Sequence, residues 1–319
     1  GILGQIQKND FELFALSNLE ISKNDDMTRR LKKIFNYWED VSDLNDLEVI
    51  DLIRKLNLDI LIDLSGYFVG NRIQVLRARC APVQISWLGY CNSLGIENMD
   101  YLIADKNLIP TSEQNQYSEK ILYMPNIWCT ITPSEDLEKI DIIKNKKNEI
   151  FTYGSFNNFQ KISNNTIKVW SKILNQSDSK LIIKNSLGDN STRLNNIILD
   201  KFKKEKVDIN KILILTPTQT RNEHLNCYNL INLSLDTFPY PGVTTTFESI
   251  LMGVPVLTKK GFNFNSRCGE SINTYVGLDD FIAENDEDYV KKAISFQSQL
   301  DTLNYIGLKT RMKFLSTYK

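Results

Sequence analysis

Histidine is almost missing from this chain: its 319 residues contain one, His224. That excludes the multi-histidine zinc sites of most metallohydrolases, while a carboxylate magnesium site or a single-histidine role stays open. An excess of charge of either sign is missing too. With 38 basic and 39 acidic side chains the formal net charge is −1, so nothing electrostatic points to duplex DNA or an anionic membrane as a partner. No apolar run approaches the roughly 18–20 residues that span a bilayer, and the N-terminus lacks the basic-then-apolar layout of a signal peptide. A soluble protein is expected. The five cysteines (Cys80, Cys91, Cys129, Cys227, Cys268) are odd in number, widely spread and without a C-x-x-C pair. Neither a zinc ribbon nor a disulfide framework fits, and a reduced, cytoplasmic compartment is the easier reading. G-x-G-x-x-G after a strand, G-x-x-x-x-G-K-[ST] and G-x-S-x-G are all absent, which removes the usual supports of dinucleotide oxidoreductases, P-loop NTPases and α/β-hydrolases. One D-x-D exists, Asp286-Glu-Asp288. It opens the last long helix expected, where acids complement the helix dipole, so it is not read as a metal site.

What is present is alternation. Short β-rich runs alternate with amphipathic helical stretches along nearly the whole chain, the pattern of an α/β protein with parallel sheets. Leu44, Leu47, Ile50 and Ile53 recur at helical spacing and lead into the buried-strand run Asp59-Ile-Leu-Ile-Asp-Leu-Ser65. A helix near 72–79 and strands at Pro82–Trp87, Tyr101–Ala104 and Lys120–Met124 follow. The second half is more regular. Strands are expected near Phe151–Phe156, Lys180–Lys184, Lys211–Thr216, Leu233–Asp236, Pro255–Thr258 and Phe281–Ala283, with Ile167, Trp170, Ile173 and Leu174 on the core face of the first helix between them. Six strands separated by helices make a complete doubly wound domain. The fold class is therefore α/β with two Rossmann-like doubly wound domains. The first, 1–133, begins with a strand-like stretch at Asp10–Ser17 and lacks its initial strand and helix, so Gly1 is not expected to be a natural start. A linker spans 134–149, and the complete domain runs from 150 to 319, its last helix expected to pack back on the first lobe.

In open α/β sheets ligands sit at the carboxyl ends of strands, and four such loops are unusual. Pro239-Tyr-Pro-Gly-Val-Thr-Thr-Thr-Phe-Glu248 puts Gly242, Thr244 and Thr245 at a helix start, where free N–H groups, hydroxyls and the dipole suit a phosphate. The competing reading is that one Thr caps the helix. Ser155-Phe-Asn-Asn-Phe-Gln-Lys161 offers Lys161 to neutralise a diphosphate and Asn157 or Asn158 to donate to it. In Thr216-Pro-Thr-Gln-Thr-Arg-Asn-Glu-His-Leu225, His224 falls in the first turn of a helix, so a neutral ring suited to stacking or hydrogen bonding is expected, against a plain helix histidine. Leu64-Ser-Gly-Tyr67 and Ser86-Trp-Leu-Gly-Tyr90 end strands in Gly, which lets a ligand approach the backbone or simply makes a turn.

At these segments the chain resembles the catalytic region of the O-linked N-acetylglucosamine transferase family, including its SPINDLY-like members. The matching pieces are Asp63–Tyr67, Arg79–Tyr90, Met99–Tyr101, Tyr117–Pro125, Phe156–Ile162, Glu223-His224, Leu235–Gly242, Thr244–Thr246, and Met252–Val256 through Ser266-Arg267, in the family's order across nearly the whole chain. The resemblance implies a B-type (GT-B) glycosyltransferase with inverting, metal-independent transfer from a nucleotide sugar to a Ser or Thr hydroxyl of a protein. No cofactor and no metal are implied. Carried over by position, Lys161 stabilises the diphosphate leaving group, and Thr244 and Thr245 bind the phosphates. His224 sits against the nucleobase with Arg221 nearby, where animal members place a lysine. Glu248 binds the ribose in place of an aspartate, Asn158 stands where animal members have glutamine, and Leu88 and Gly89 line the sugar pocket.

UDP-N-acetylglucosamine is the donor this implies, although plant relatives use GDP-fucose and other bacterial relatives use hexoses. The family's N-terminal segment, with its acceptor-side histidines, and the tetratricopeptide repeats that recruit protein substrates have no counterpart here. They are expected upstream in the full-length protein, so the 319 residues alone are not expected to be a competent enzyme and the catalytic base is unassigned. Two alternatives remain: another GT-B sugar enzyme, such as a nucleotide-sugar 2-epimerase or a fucosyl or hexosyl transferase, and a non-catalytic nucleotide-sugar-binding fragment.

Overall fold

The structure, a computed structural model, describes residues 2–6, 10–132, 140–142, 150–185 and 191–317. Of the expected linker at 134–149, all but residues 140–142 lies outside the described residues. The chain divides into two units, one of Gly1–Ala104 with Thr111–Met124, the other of Asp105–Pro110 with Pro125–Lys319.

The first unit opens with β1 (Phe14–Ser17), α1 (Asp26–Lys32) and β2 (Tyr37–Asp40), the two strands pairing in parallel. α1 starts at Asp25, whose carboxylate accepts from the Thr28 N–H at 2.8 Å. α2 (Asp46–Leu56) is started by a capping box between Asn45 and Glu48 and stopped by Asn57 in the left-handed region; it buries Val49, Ile50 and Ile53. β3 (Ile60–Asp63), α3 (Ile73–Arg77), β4 (Val83–Ser86), β5 (Tyr101–Ala104) and β6 (Lys120–Tyr123) follow, and the strands form a parallel sheet ordered β3-β4-β5-β6. The strands of this sheet match the sequence expectation. α1 and β2 were not foreseen, because Tyr37-Trp-Glu-Asp40 alternates between exposed and half-buried positions and carries no apolar run.

The second unit runs β7 (Phe151–Ser155), α4 (Asn164–Gln176), β8 (Ser179–Lys184), α5 (Ser191–Lys204), β9 (Ile212–Leu215), α6 (Arg221–Asn226), β10 (Leu233–Leu235), α7 (Thr244–Leu251), β11 (Val256–Lys259), α8 (Cys268–Val276), β12 (Ile282–Ala283), α9 (Asp286–Gln297) and α10 (Leu300–Ser316). All six strands are parallel, in the order β9-β8-β7-β10-β11-β12. Counted within the unit this is 3-2-1-4-5-6, the doubly wound order, whose direction reverses between β7 and β10. α4 starts where the Ser163 hydroxyl accepts from the Thr166 N–H at 3.0 Å, and it buries Ile167, Trp170, Ile173 and Leu174. Trp170 is fully buried; truncating it to alanine would cost about 3–5 kcal/mol. α10 packs on α7, α8 and α9, with Phe314 stacked on Phe247 of α7 at 5.5 Å between ring centres. No helix among the described residues is long and apolar enough to cross a membrane.

Candidate functional site

The strand order brings together the loops after β7 and β10. After β7, Phe156 and Phe159 are buried and hold the loop down, while Asn158 accepts from the Gln160 N–H at 3.0 Å and starts a 3-10 turn over Phe159–Lys161. Lys161 comes off that turn. Its ammonium donates to the Pro241 carbonyl at 2.9 Å and stands 3.9 Å from the centre of the Tyr240 ring. The lysine of the first loop is thus docked on the turn that precedes α7.

That turn is organised from beneath by Asp236, which follows the buried β10. Its Oδ1 accepts from the N–H groups of Gly242 (2.7 Å) and Thr237 (3.0 Å) and from the Asn157 amide (3.1 Å), and its Oδ2 accepts from the Thr258 hydroxyl at 2.9 Å. Burial pushes the carboxyl up to about 6, against the opposing pull of these donors and of Lys161. Gly242 is required here: a Cβ would lie 2.4 Å from Thr245 Oγ1 and 2.9 Å from Asn157 Oδ1. The Thr245 hydroxyl donates to Asn157 Oδ1 at 2.7 Å. No threonine caps the helix, because the cap position is Val243 and makes no side-chain bond. Thr244, Thr245 and Thr246 occupy the first three helical positions, whose N–H groups have no acceptor within the helix. Together with Lys161 they can hold an anion.

One turn further along α7, buried Glu248 gathers the second group of residues. Its Oε1 pairs with Arg221 Nη2 at 3.2 Å and its Oε2 lies 3.1 Å from His224 Nε2. α6 carries both partners and begins with a capping box between Thr220 and Glu223. Lys184, the last residue of β8, lies 2.6 Å from His224 Nδ1 and donates to Thr218 Oγ1 at 2.8 Å. Burial lowers the Lys184 pKa, opposed by the nearby Glu248 and Glu223 carboxylates. The expected first-turn position does not hold: α6 is only six residues long and His224 lies in its last turn, so the N-terminal dipole is not what surrounds the ring, and the Lys184 ammonium and the Glu248 carboxylate stand against its two nitrogens. Tyr228 ties the two groups together, donating from its hydroxyl to the Thr245 carbonyl at 3.1 Å.

Lys161, Gly242, Thr244 and Thr245 therefore share one end of the site, and Arg221, His224 and Glu248 the other. Asn158 is exposed and serves the local turn, while Asn157 is the buried asparagine that reaches Thr245 and Asp236. Leu88 and Gly89 belong to the first unit, in the loop after β4. A Cβ on Gly89 would lie 2.0 Å from the Leu64 carbonyl oxygen, so the approach of the chain's own backbone already accounts for that glycine. In the D-x-D segment, Asp286 pairs with Lys259 at 2.6 Å and Asp288 lies 3.8 Å from Lys292. Sequence reasoning missed Asp236, Lys184 and Tyr228. Two of them carried a legible signal, since each puts a charge directly at the end of an apolar strand run, Lys180-Leu-Ile-Ile-Lys184 and Leu233-Ser-Leu-Asp236.

The chain matches a family model described as Glycosyl transferase family 41 over residues 2–140 and 135–317. It is 32% identical over 313 residues to a protein of Eustoma exaltatum subsp. russellianum named probable UDP-N-acetylglucosamine–peptide N-acetylglucosaminyltransferase SPINDLY, covering 95% of this chain and 34% of that protein. It is 33% identical over 279 residues to the like-named protein of Solanum lycopersicum, covering 86% of this chain and 29% of the relative. The chain thus spans about a third of the length of these curated relatives. Among solved structures it is similar to a mutant of the O-GlcNAc transferase of Thermobaculum terrenum, with a TM-score of 0.90 and 27% identity over 98% of this chain and 59% of the other.

Proposed function

The chain belongs to glycosyl transferase family 41, and from that premise we propose that it is the catalytic region of an inverting, metal-independent transferase that moves N-acetylglucosamine from UDP-N-acetylglucosamine to Ser and Thr hydroxyls of proteins. The observation that carries this reading is the docking of Lys161 on the turn leading into α7, 2.9 Å from the Pro241 carbonyl. A sugar leaves a nucleoside diphosphate as negative charge grows on the β-phosphate, and preorganised donors at that oxygen lower the barrier most. In this reading Lys161 and the N–H groups of Thr244–Thr246 meet that charge. Asp236 and Asn157 hold the turn in shape before the donor arrives, so little reorganisation is needed at the moment of transfer.

The names of the SPINDLY relatives support the UDP-N-acetylglucosamine donor and the peptide acceptor. Glu248, with Arg221 and His224 against it, is suited to a ribose and its base, because a carboxylate accepts from a ribose hydroxyl and an imidazole offers a face for stacking. Asn158 is proposed as a further donor-binding group. A cytoplasmic setting and upstream tetratricopeptide repeats that deliver the protein acceptor complete the proposal.

The test is transfer of labelled sugar to a protein acceptor by the full-length gene product, run with UDP-N-acetylglucosamine, GDP-fucose and UDP-glucose in turn, with and without a chelator. Transfer from UDP-N-acetylglucosamine that survives chelation is the expected result. Release of free sugar or epimerisation without an acceptor would favour the other sugar enzymes, and donor binding with no turnover would favour a binding role.

A further inference from the structure

Lys184 has no part in the reading above, yet its surroundings are specific. It closes the apolar run of β8 and is only 6% exposed. A protonated lysine has donors and no acceptor. Its nitrogen lies 2.6 Å from His224 Nδ1 and 2.8 Å from Thr218 Oγ1, so while Lys184 carries its proton, Nδ1 faces it with a lone pair. The ring proton then resides on Nε2, where Glu248 Oε2 accepts it at 3.1 Å. The other Glu248 oxygen is engaged by Arg221 at 3.2 Å. Phe156 and Tyr228 stand edge-on to the ring at 6.3 and 5.8 Å between centres, which limits its rotation.

We propose that Lys184 is a positioning residue that holds the lone histidine in the Nε2-protonated tautomer, so that His224 presents a ring face and no free ring nitrogen to a nucleobase. The proposal rests on the reading of this end of the site as the nucleoside end. It has a consequence for specificity. Every base has a π-face, so stacking on His224 adds affinity without choosing among bases, and base identity falls to the groups around it.

Because the chain holds a single histidine, a long-range proton–nitrogen spectrum of the imidazole reads His224 alone in the intact chain. The expected wild-type spectrum has a protonated Nε2 and an unprotonated Nδ1. Lys184→Met removes the donor and should shift the ring toward the Nδ1-protonated tautomer or a mixture, and Lys184→Arg, again a donor without an acceptor, should restore the wild-type pattern. Affinity for UDP should fall on the order of five- to tenfold in Lys184→Met, the scale of one lost hydrogen bond. An Nδ1-protonated wild type, which needs no variant to detect, would overturn the proposal, as would an unchanged tautomer in a folded Lys184→Met. If UDP and GDP both leave the His224 ring signals unmoved while the tautomer responds to Lys184→Met, the nucleoside-end reading fails and the Lys184–His224 assignment stands.

Discussion

The Thr245 hydroxyl donates to Asn157 Oδ1 at 2.7 Å, joining residues 88 positions apart. The bond crosses the point where the strand order of the second unit reverses, from the loop after β7 to the first turn of α7. The hydroxyl that sequence alone would aim at a phosphate is thereby committed to the frame of the site, and the anion is left to the N–H groups and Lys161.

Thr245→Val keeps the shape and removes the donor, leaving the Asn157 carbonyl oxygen buried without that partner. A loss of about 1–3 kcal/mol in stability is expected, with weaker UDP binding, and Thr245→Ser should recover most of both. Chemical denaturation and calorimetric titration of the three proteins check this; equal stability of the valine variant would refute the bridging role.

Lys161→Ala should leave the fold intact, since Lys161 is half-buried and sits at the end of a surface turn. In the full-length protein the turnover number should drop by about 100-fold or more, the scale of removing one preorganised group at a developing charge. Retained sugar transfer with an unchanged circular dichroism spectrum would sink the assignment.

Gly242→Ala puts a methyl group 2.4 Å from Thr245 Oγ1 and 2.9 Å from both Asn157 Oδ1 and Thr246 Oγ1. Overpacking of this kind costs about 1–3 kcal/mol, and here it also spreads the phosphate end. Donor affinity should fall along with the melting temperature. A variant that melts like the wild type and binds UDP normally would show that the turn gives way freely.

Asp236 supplies a pH dependence with a definite sign. Burial holds its carboxyl at about 6, above the 3.8 of an ordinary aspartate, so folding favours the protonated form. Its contribution to stability is full below pH 3.8 and is lost as pH rises through about 6. Three N–H groups converge on Oδ1, so the proton belongs on Oδ2, beside Thr258. Asp236→Asn mimics that protonated form, its amide donating to the Thr258 oxygen. Measured by urea denaturation, the stability of the variant relative to wild type should grow by on the order of 3 kcal/mol between about pH 4 and about pH 7. A constant difference across that range would mean that the buried carboxyl titrates like an exposed one.

Much of this was legible in the residues. The apolar runs ending at Lys184 and Asp236 mark buried parallel strands because such strands are covered on both faces. The Gly-Val-Thr-Thr-Thr start of α7 announces a helix N-terminus, although only the structure shows that no threonine caps it. The order of motifs from Asp63 to Arg267 points to the family. Other features stayed hidden for physical reasons. β2 is too exposed to show an apolar run, and Asn157 and Asn158 are chemically identical neighbours, so only packing tells which one turns inward.

By itself, then, the sequence determined the alternation of strands and helices, the two-unit α/β class and the set of loops where an anion could be held, because periodicity and end signals are local properties of the chain. Tertiary structure alone decided which of those loops meet. The reversal of strand order between β7 and β10 brings Asn157, Asp236, Gly242 and Thr245 into one hydrogen-bond network. It also lets β8, α6 and α7 place Lys184, His224 and Glu248 in a line. Burial supplies the rest, since the raised carboxyl of Asp236 and the lowered ammonium pKa of Lys184 come from the surrounding protein excluding water, a property that no single residue carries.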